Sequence, residues 1–129
     1  MSVDTKRVKA LAENLSVLFV EDDSKLREHT QSLLATLFRQ VDTASNGKEG
    51  FEVFEKNNYD IVISDIYMPE ADGITLSRLI RQKHPEQPII IISAHEESHY
   101  LIDLINLGID HFILKPMDIN QFLTVIHKV

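Results

Sequence analysis

The run Ile89-Ile90-Ile91-Ile92 narrows the folds open to this chain more than any other stretch. Consecutive β-branched residues favour extended backbone, and a strand without polar alternation must be covered on both faces. Strands of that kind belong to parallel sheets, whose crossover connections lay helices over both sides. Pro85 and Pro88 precede the run and Ser93-Ala94 close it, so it reads as a short strand bounded by turns.

Four further runs read the same way: Ser16 to Val20, Gln40 to Ala44, Asp60 to Ser64 and His111 to Leu114. Between them the apolar period lengthens to that of helices. After Ser24, read as an N-cap, Leu26, Thr30, Leu33, Leu34 and Leu37 form one stripe. Asn46-Gly47 turns into a second helix marked by Gly50, Phe51 and Phe54, and Gly73 to Lys83 forms a third through Leu76, Leu79 and Ile80. Leu101, Leu104 and Ile105 give a fourth closed by Gly108, and Ile119, Phe122, Leu123 and Ile126 a fifth capped by Asp118 or Asn120. Strands alternating with helices predict an α/β fold, a doubly wound five-stranded parallel sheet with five flanking helices.

A chain of 129 residues makes one domain. Residues 15–129 are assigned to it, and residues 1–14, with Val8, Leu11 and Leu15 at helical spacing, to a leader or linker remnant that is helical in one reading. No stretch approaches the ~18 apolar residues that span a bilayer, and the polar start lacks a secretion signal, so no membrane role and a cytoplasmic location are expected. The absence of cysteine removes disulfides, thiolate ligands and thiol nucleophiles. A net charge of -7 argues against direct nucleic-acid binding, which needs clustered Lys and Arg.

Right-handed crossovers bring the carboxyl ends of parallel strands to one edge of the sheet, where open α/β sheets carry their chemistry. That edge collects Glu21, Asp22 and Asp23 after strand one, Asp65 after strand three, Ser93 after strand four and Lys115 after strand five. Taken alone, Asp22 and Asp23 have a plainer use as caps of the first helix. Together with Asp65 they form a set of repelling carboxylates that a cation would join. Oxygen ligands alone point to Mg²⁺. A carboxylate held there can attack phosphorus, with the lysine and Ser93 available to the phosphoryl oxygens.

Asp22-Asp23, Asp65 in an Asp-x-x-Met-Pro context, Ser93-Ala94 and Lys115-Pro116 resemble the signature of the receiver domain of two-component response regulators, over roughly Leu15 to Val129. The resemblance implies a flavodoxin-like fold with strand order 2-1-3-4-5. It implies phosphorylation of Asp65 by a histidine kinase or phosphotransfer protein, or by small phosphodonors. Mg²⁺ would be held by Asp22, Asp23, Asp65 and the main-chain carbonyl of Tyr67. Lys115 would contact the phosphoryl group, and the Lys115-Pro116 bond is expected to be cis. Switching would run through Ser93 and an aromatic on strand five, here Phe112 where tyrosine is commoner, and would be read on the face of helix four, strand five and helix five. Tyr67 and His95 stand where relatives flank the hydrolytic water, so slow self-dephosphorylation is expected.

The expected output is an effector domain in cis or a protein in trans, with phosphorylation-linked homodimerisation as a further expectation. Two rival readings use the same residues. An Asp-nucleophile phosphohydrolase would want a second aspartate two positions past Asp65, where Tyr67 stands; a docking scaffold without phosphorylation would leave the five chemical residues without a task. A flavodoxin-like mononucleotide module would need a Gly-rich first turn, and this one is acidic. His95, His99 and His111 do not make a familiar zinc pattern.

Overall fold

A computed structural model describes residues 10, 12–66, 72–93, 101–109, 111–114, 122–123 and 125–126. Its elements in chain order are β1 Ser16–Val20, α1 Ser24–Ala35, β2 Gln40–Ala44, α2 Gly47–Lys56, β3 Ile61–Asp65, α3 Gly73–Lys83, β4 Ile89–Ser93, α4 Leu101–Asn106 and β5 His111–Leu114. Phe122, Leu123, Val125 and Ile126 are helical where the fifth helix is expected. Relative to the sequence reading, β3 shifts by one residue, to begin at Ile61 and take in Asp65.

The five strands form one parallel sheet in the order β2-β1-β3-β4-β5, as expected. Side chains alternating along each strand feed two cores. Val17, Phe19, Ile61, Ile63, Ile90, Ile92 and Ile113 face one way, onto Leu34, Leu37, Phe38 and Phe122. Leu18, Val20, Val62, Ile89 and Ile91 face the other, onto Phe54, Ile74, Leu76, Ile80 and Leu104. This is why the isoleucine run has no polar break: Ile89 to Ile92 are all buried, two on each side. Ala12, within the expected leader, is also fully buried in the first core, and its carbonyl accepts from the Leu15 amide.

Two helices present their apolar stripes otherwise than read from sequence. Thr30 and Leu34 seat α1, with Leu37 buried just beyond its end, while Leu26 and Leu33 lie on the margin of the stripe and are each 40% exposed. In α4 only Leu104 of the described side chains is buried; Ile105 is exposed, as is Ile102. The helix ends as expected at Gly108, whose φ of 81° is open to glycine and strained for other residues. There the Gly108 amide donates to the Ile105 carbonyl and the Ile109 amide to that of Leu104, a Schellman-type close. Arg81 of α3 clasps the same end, its Nε donating to the Leu107 carbonyl at 3.0 Å.

Candidate functional site

The register of β1 against β3 builds the site. Val20 pairs with Ser64, so the next residues along the two adjacent strands, Glu21 and Asp65, leave the sheet side by side. Asp65 is buried as the last residue of β3. The Ile66 amide donates to its Oδ1 at 2.7 Å and the Ser64 hydroxyl to its carbonyl at 2.8 Å, which orients the carboxylate over the end of the strand. The Gly73 amide donates to the Ile66 carbonyl at 2.8 Å and draws the start of α3 against this turn. A Cβ on Gly73 would stand 2.2 Å from the Asp65 carbonyl oxygen, so only glycine permits that approach.

On the β1 side, the Glu21 amide donates to the Ala44 carbonyl of β2 at 3.1 Å, and Glu21 Oε2 accepts from the Asp23 amide at 3.3 Å. Glu21 is buried and Asp22 exposed. One carboxylate oxygen from each of Glu21, Asp22 and Asp65 lies within 4.8 Å of the other two. Unit charges that close repel by about 3.5 kcal/mol or more per pair at an effective dielectric of ~20. An all-oxygen, three-carboxylate set with one exposed member fits Mg²⁺, which keeps waters and prefers carboxylates to softer donors.

The structure separates the acids that the sequence reading grouped. Asp22 and Asp65 come together as expected. Asp23, expected as the third carboxylate, instead caps α1: its Oδ1 accepts from the Lys25 and Leu26 amides at 3.0 and 3.1 Å. Ser24, the N-cap expected from the sequence, is the first helical residue. Glu21 takes the third place in the cluster. The signal for it was present in the triplet Glu21-Asp22-Asp23, since the first acid continues the strand and the last precedes a helix. Which of the three faces Asp65 depends on register, and that is a tertiary fact.

Ser93 ends β4 opposite Leu114, one residue beyond the pair Asp65 and Ile92, so its backbone lies on the same sheet edge. Phe112 pairs with Ile91 and is half-buried against the second core. Tyr67, His95, Lys115 and Pro116, with the expected cis bond, lie outside the described residues. No described helix is long and apolar enough to cross a membrane.

Comparison with known proteins agrees with this geometry. The family model for the response regulator receiver domain matches residues 17–127. The transcriptional regulatory protein DltR of Streptococcus agalactiae is 32% identical over 109 residues, 84% of this chain and 49% of DltR. The DNA-binding transcriptional regulator NtrC of Escherichia coli is 32% identical over 112 residues, 87% of this chain and 24% of NtrC. This chain thus spans about half the length of the first relative and a quarter of the second. The receiver domain of the Francisella response regulator 1452 superposes with a TM-score of 0.78 at 28% identity, covering 89% of this chain and 95% of that one. The family match takes in all of the sheet but Ser16, with both halves of the acidic cluster, and the chain therefore belongs to the response regulator receiver domains.

Proposed function

We propose that this chain is a phosphorylation-dependent signalling switch that accepts a phosphoryl group on Asp65. The observation that carries this reading is the buried Asp65 carboxylate, aimed over a strand end, with oxygens of Glu21 and Asp22 within 4.8 Å. Glu21, Asp22 and Asp65 are the described residues that would hold Mg²⁺, joined in the family pattern by the Tyr67 carbonyl. The ion would neutralise charge on the phosphoryl oxygens during transfer. The chain's own part is to present the nucleophile. An Asp65 oxygen bonds to phosphorus as the bond from phosphorus to the donor breaks. With a phosphohistidine of a kinase or phosphotransfer protein as donor, the leaving imidazole nitrogen takes up a proton. The Ile66 amide on Oδ1 holds the carboxylate in place during the exchange.

Lys115 and Ser93 complete the site as contacts to the phosphoryl oxygens, and Phe112 follows Ser93 into the space behind it. This two-state change is read on α4, β5 and the last helix, by an output domain in cis or an effector in trans. The names of the longer relatives DltR and NtrC point to transcriptional control as one such output. Phosphorylation-linked pairing of two copies belongs to the same proposal. Tyr67 and His95 shield the acyl phosphate from water, so Tyr67→Asn shortens its lifetime in Mg²⁺; an equal or longer lifetime removes the shielding role.

The test is incubation with acetyl phosphate and Mg²⁺. One acid-stable, base-labile phosphoryl group is expected on the native chain and none on Asp65→Asn. Labelling that survives Asp65→Asn overturns the proposal.

A further inference from the structure

The turn that carries Glu21 and Asp22 is held by a cation that the site does not otherwise use. Arg27, half-buried in the first turn of α1, reaches back over that turn, and its Nη1 donates to the Glu21 carbonyl at 2.8 Å and the Asp22 carbonyl at 3.4 Å. These are the peptide groups that directly follow β1. The Glu21 amide is tied to Ala44 of β2 and its carboxylate to the Asp23 amide, and Arg27 adds a fixed point at the carbonyl of this residue. Without it, the carbonyl of a buried residue would lose a charge-assisted partner, and the Glu21-Asp22 peptide plane, with the Asp22 carbonyl beside it, would be held less firmly. Rotation there swings the Asp22 side chain, the exposed member of the cluster.

We propose that Arg27 is a positioning residue for the cation site, fixing the β1–α1 turn so that the Glu21 and Asp22 carboxylates converge on Asp65. This rests on the cation-site reading above. Positioning and simple charge have opposite signs here, which makes the proposal testable. A guanidinium close to a Mg²⁺ site repels the ion, so its removal would by charge alone tighten binding. Loss of positioning weakens it.

The experiment is calorimetric Mg²⁺ titration of the whole chain at 0.15 M ionic strength, for the native protein, Arg27→Ala, Arg27→Lys, Arg27→Gln and Asp65→Asn. Thermal unfolding in EDTA identifies the variants that fold. Arg27→Ala is expected to raise the Mg²⁺ Kd about tenfold, the loss of one charge-assisted hydrogen bond. Arg27→Gln, neutral and too short to span the turn, is expected to do the same and replaces Arg27→Ala should that variant not fold. Arg27→Lys, which keeps a donor and the charge, is expected to return Kd to within about threefold of native. A Kd equal to or tighter than native in the neutral variants overturns the proposal, as does a lysine variant as weak as they are. If the native chain shows no Mg²⁺ binding that depends on Asp65, the cation-site reading falls and this proposal with it. If it does show such binding and the neutral variants match it, only the assignment of Arg27 falls.

Discussion

Glu21 and Asp23 are separated by one residue and have different work. Glu21 is buried with its carboxylate in the acidic cluster, whereas Asp23 spends a carboxylate oxygen on the first amides of α1. The two losses should therefore separate. Asp23→Ala is expected to cost about 1 kcal/mol of stability, the usual loss of an N-cap, and to leave the Mg²⁺ Kd within about twofold. Glu21→Gln is expected to weaken Mg²⁺ severalfold while melting at or above the native temperature in EDTA, because it removes one of three repelling charges. Chemical denaturation and calorimetric titration of both variants check this; a larger loss of affinity in Asp23→Ala contradicts it. At this scale the sequence was legible in residue types but not in partners. Three acids at a strand end announce a cation site, yet only the pairing of Val20 with Ser64 says which of them meets Asp65.

The elements were the most legible scale where burial is two-sided. The isoleucine run, Val17 to Val20 and Ile61 to Ile63 read as strands because their residue types suit a doubly covered sheet. The helices were legible in position and less so in orientation. Leu33 and Ile105 belong to apolar stripes yet are 40% and 60% exposed, since a stripe read from sequence does not show where the sheet surface beneath it ends. The contact of α3 with β3 was not legible at all, because nothing in the letters Asp72-Gly73 shows a carbonyl within 2.2 Å of a future Cβ. Gly73→Ala is expected to push α3 from the Asp65 turn and cost about 2–3 kcal/mol, an overpacking penalty against backbone that cannot yield as a side chain does. Urea unfolding measures it, and a change under about 0.5 kcal/mol would show that the approach is easily relieved. A second contact joins elements at the opposite edge. The Tyr59 hydroxyl donates to Asp42 Oδ2 of β2 at 2.5 Å, reaching past the start of β1. Burial, reinforced by that bond to Asp42, pushes the Tyr59 phenol well above its ordinary value. A raised folded-state value favours the neutral form, so its contribution is complete below about pH 10 and is lost as pH rises above that. Stability of the native chain should fall more steeply above pH 10 than that of Tyr59→Phe; parallel curves would contradict this.

The whole molecule is a parallel sheet between two cores, with its charge conflict gathered at one edge. A ligand that binds only the folded state stabilises it by mass action, about 2.7 kcal/mol at a hundredfold excess over Kd. Mg²⁺ should therefore raise Tm by roughly 10 °C at that excess in the native chain and by much less in Asp65→Asn, and an equal rise in both would place the ion elsewhere. The class of the molecule was legible because its chemistry stands at strand ends in a fixed order, from the acids after β1 to Lys115. The output was not, because no motif in the sequence names a partner. The central claim is that Asp65 takes the phosphoryl group, and borohydride reduction of the chain after treatment with acetyl phosphate and Mg²⁺ tests it most directly. Reduction of an aspartyl phosphate leaves homoserine, which peptide mass spectrometry locates. The account predicts homoserine at position 65 alone; a reduced residue at Glu21 or Asp22, or none after demonstrated labelling, would contradict it.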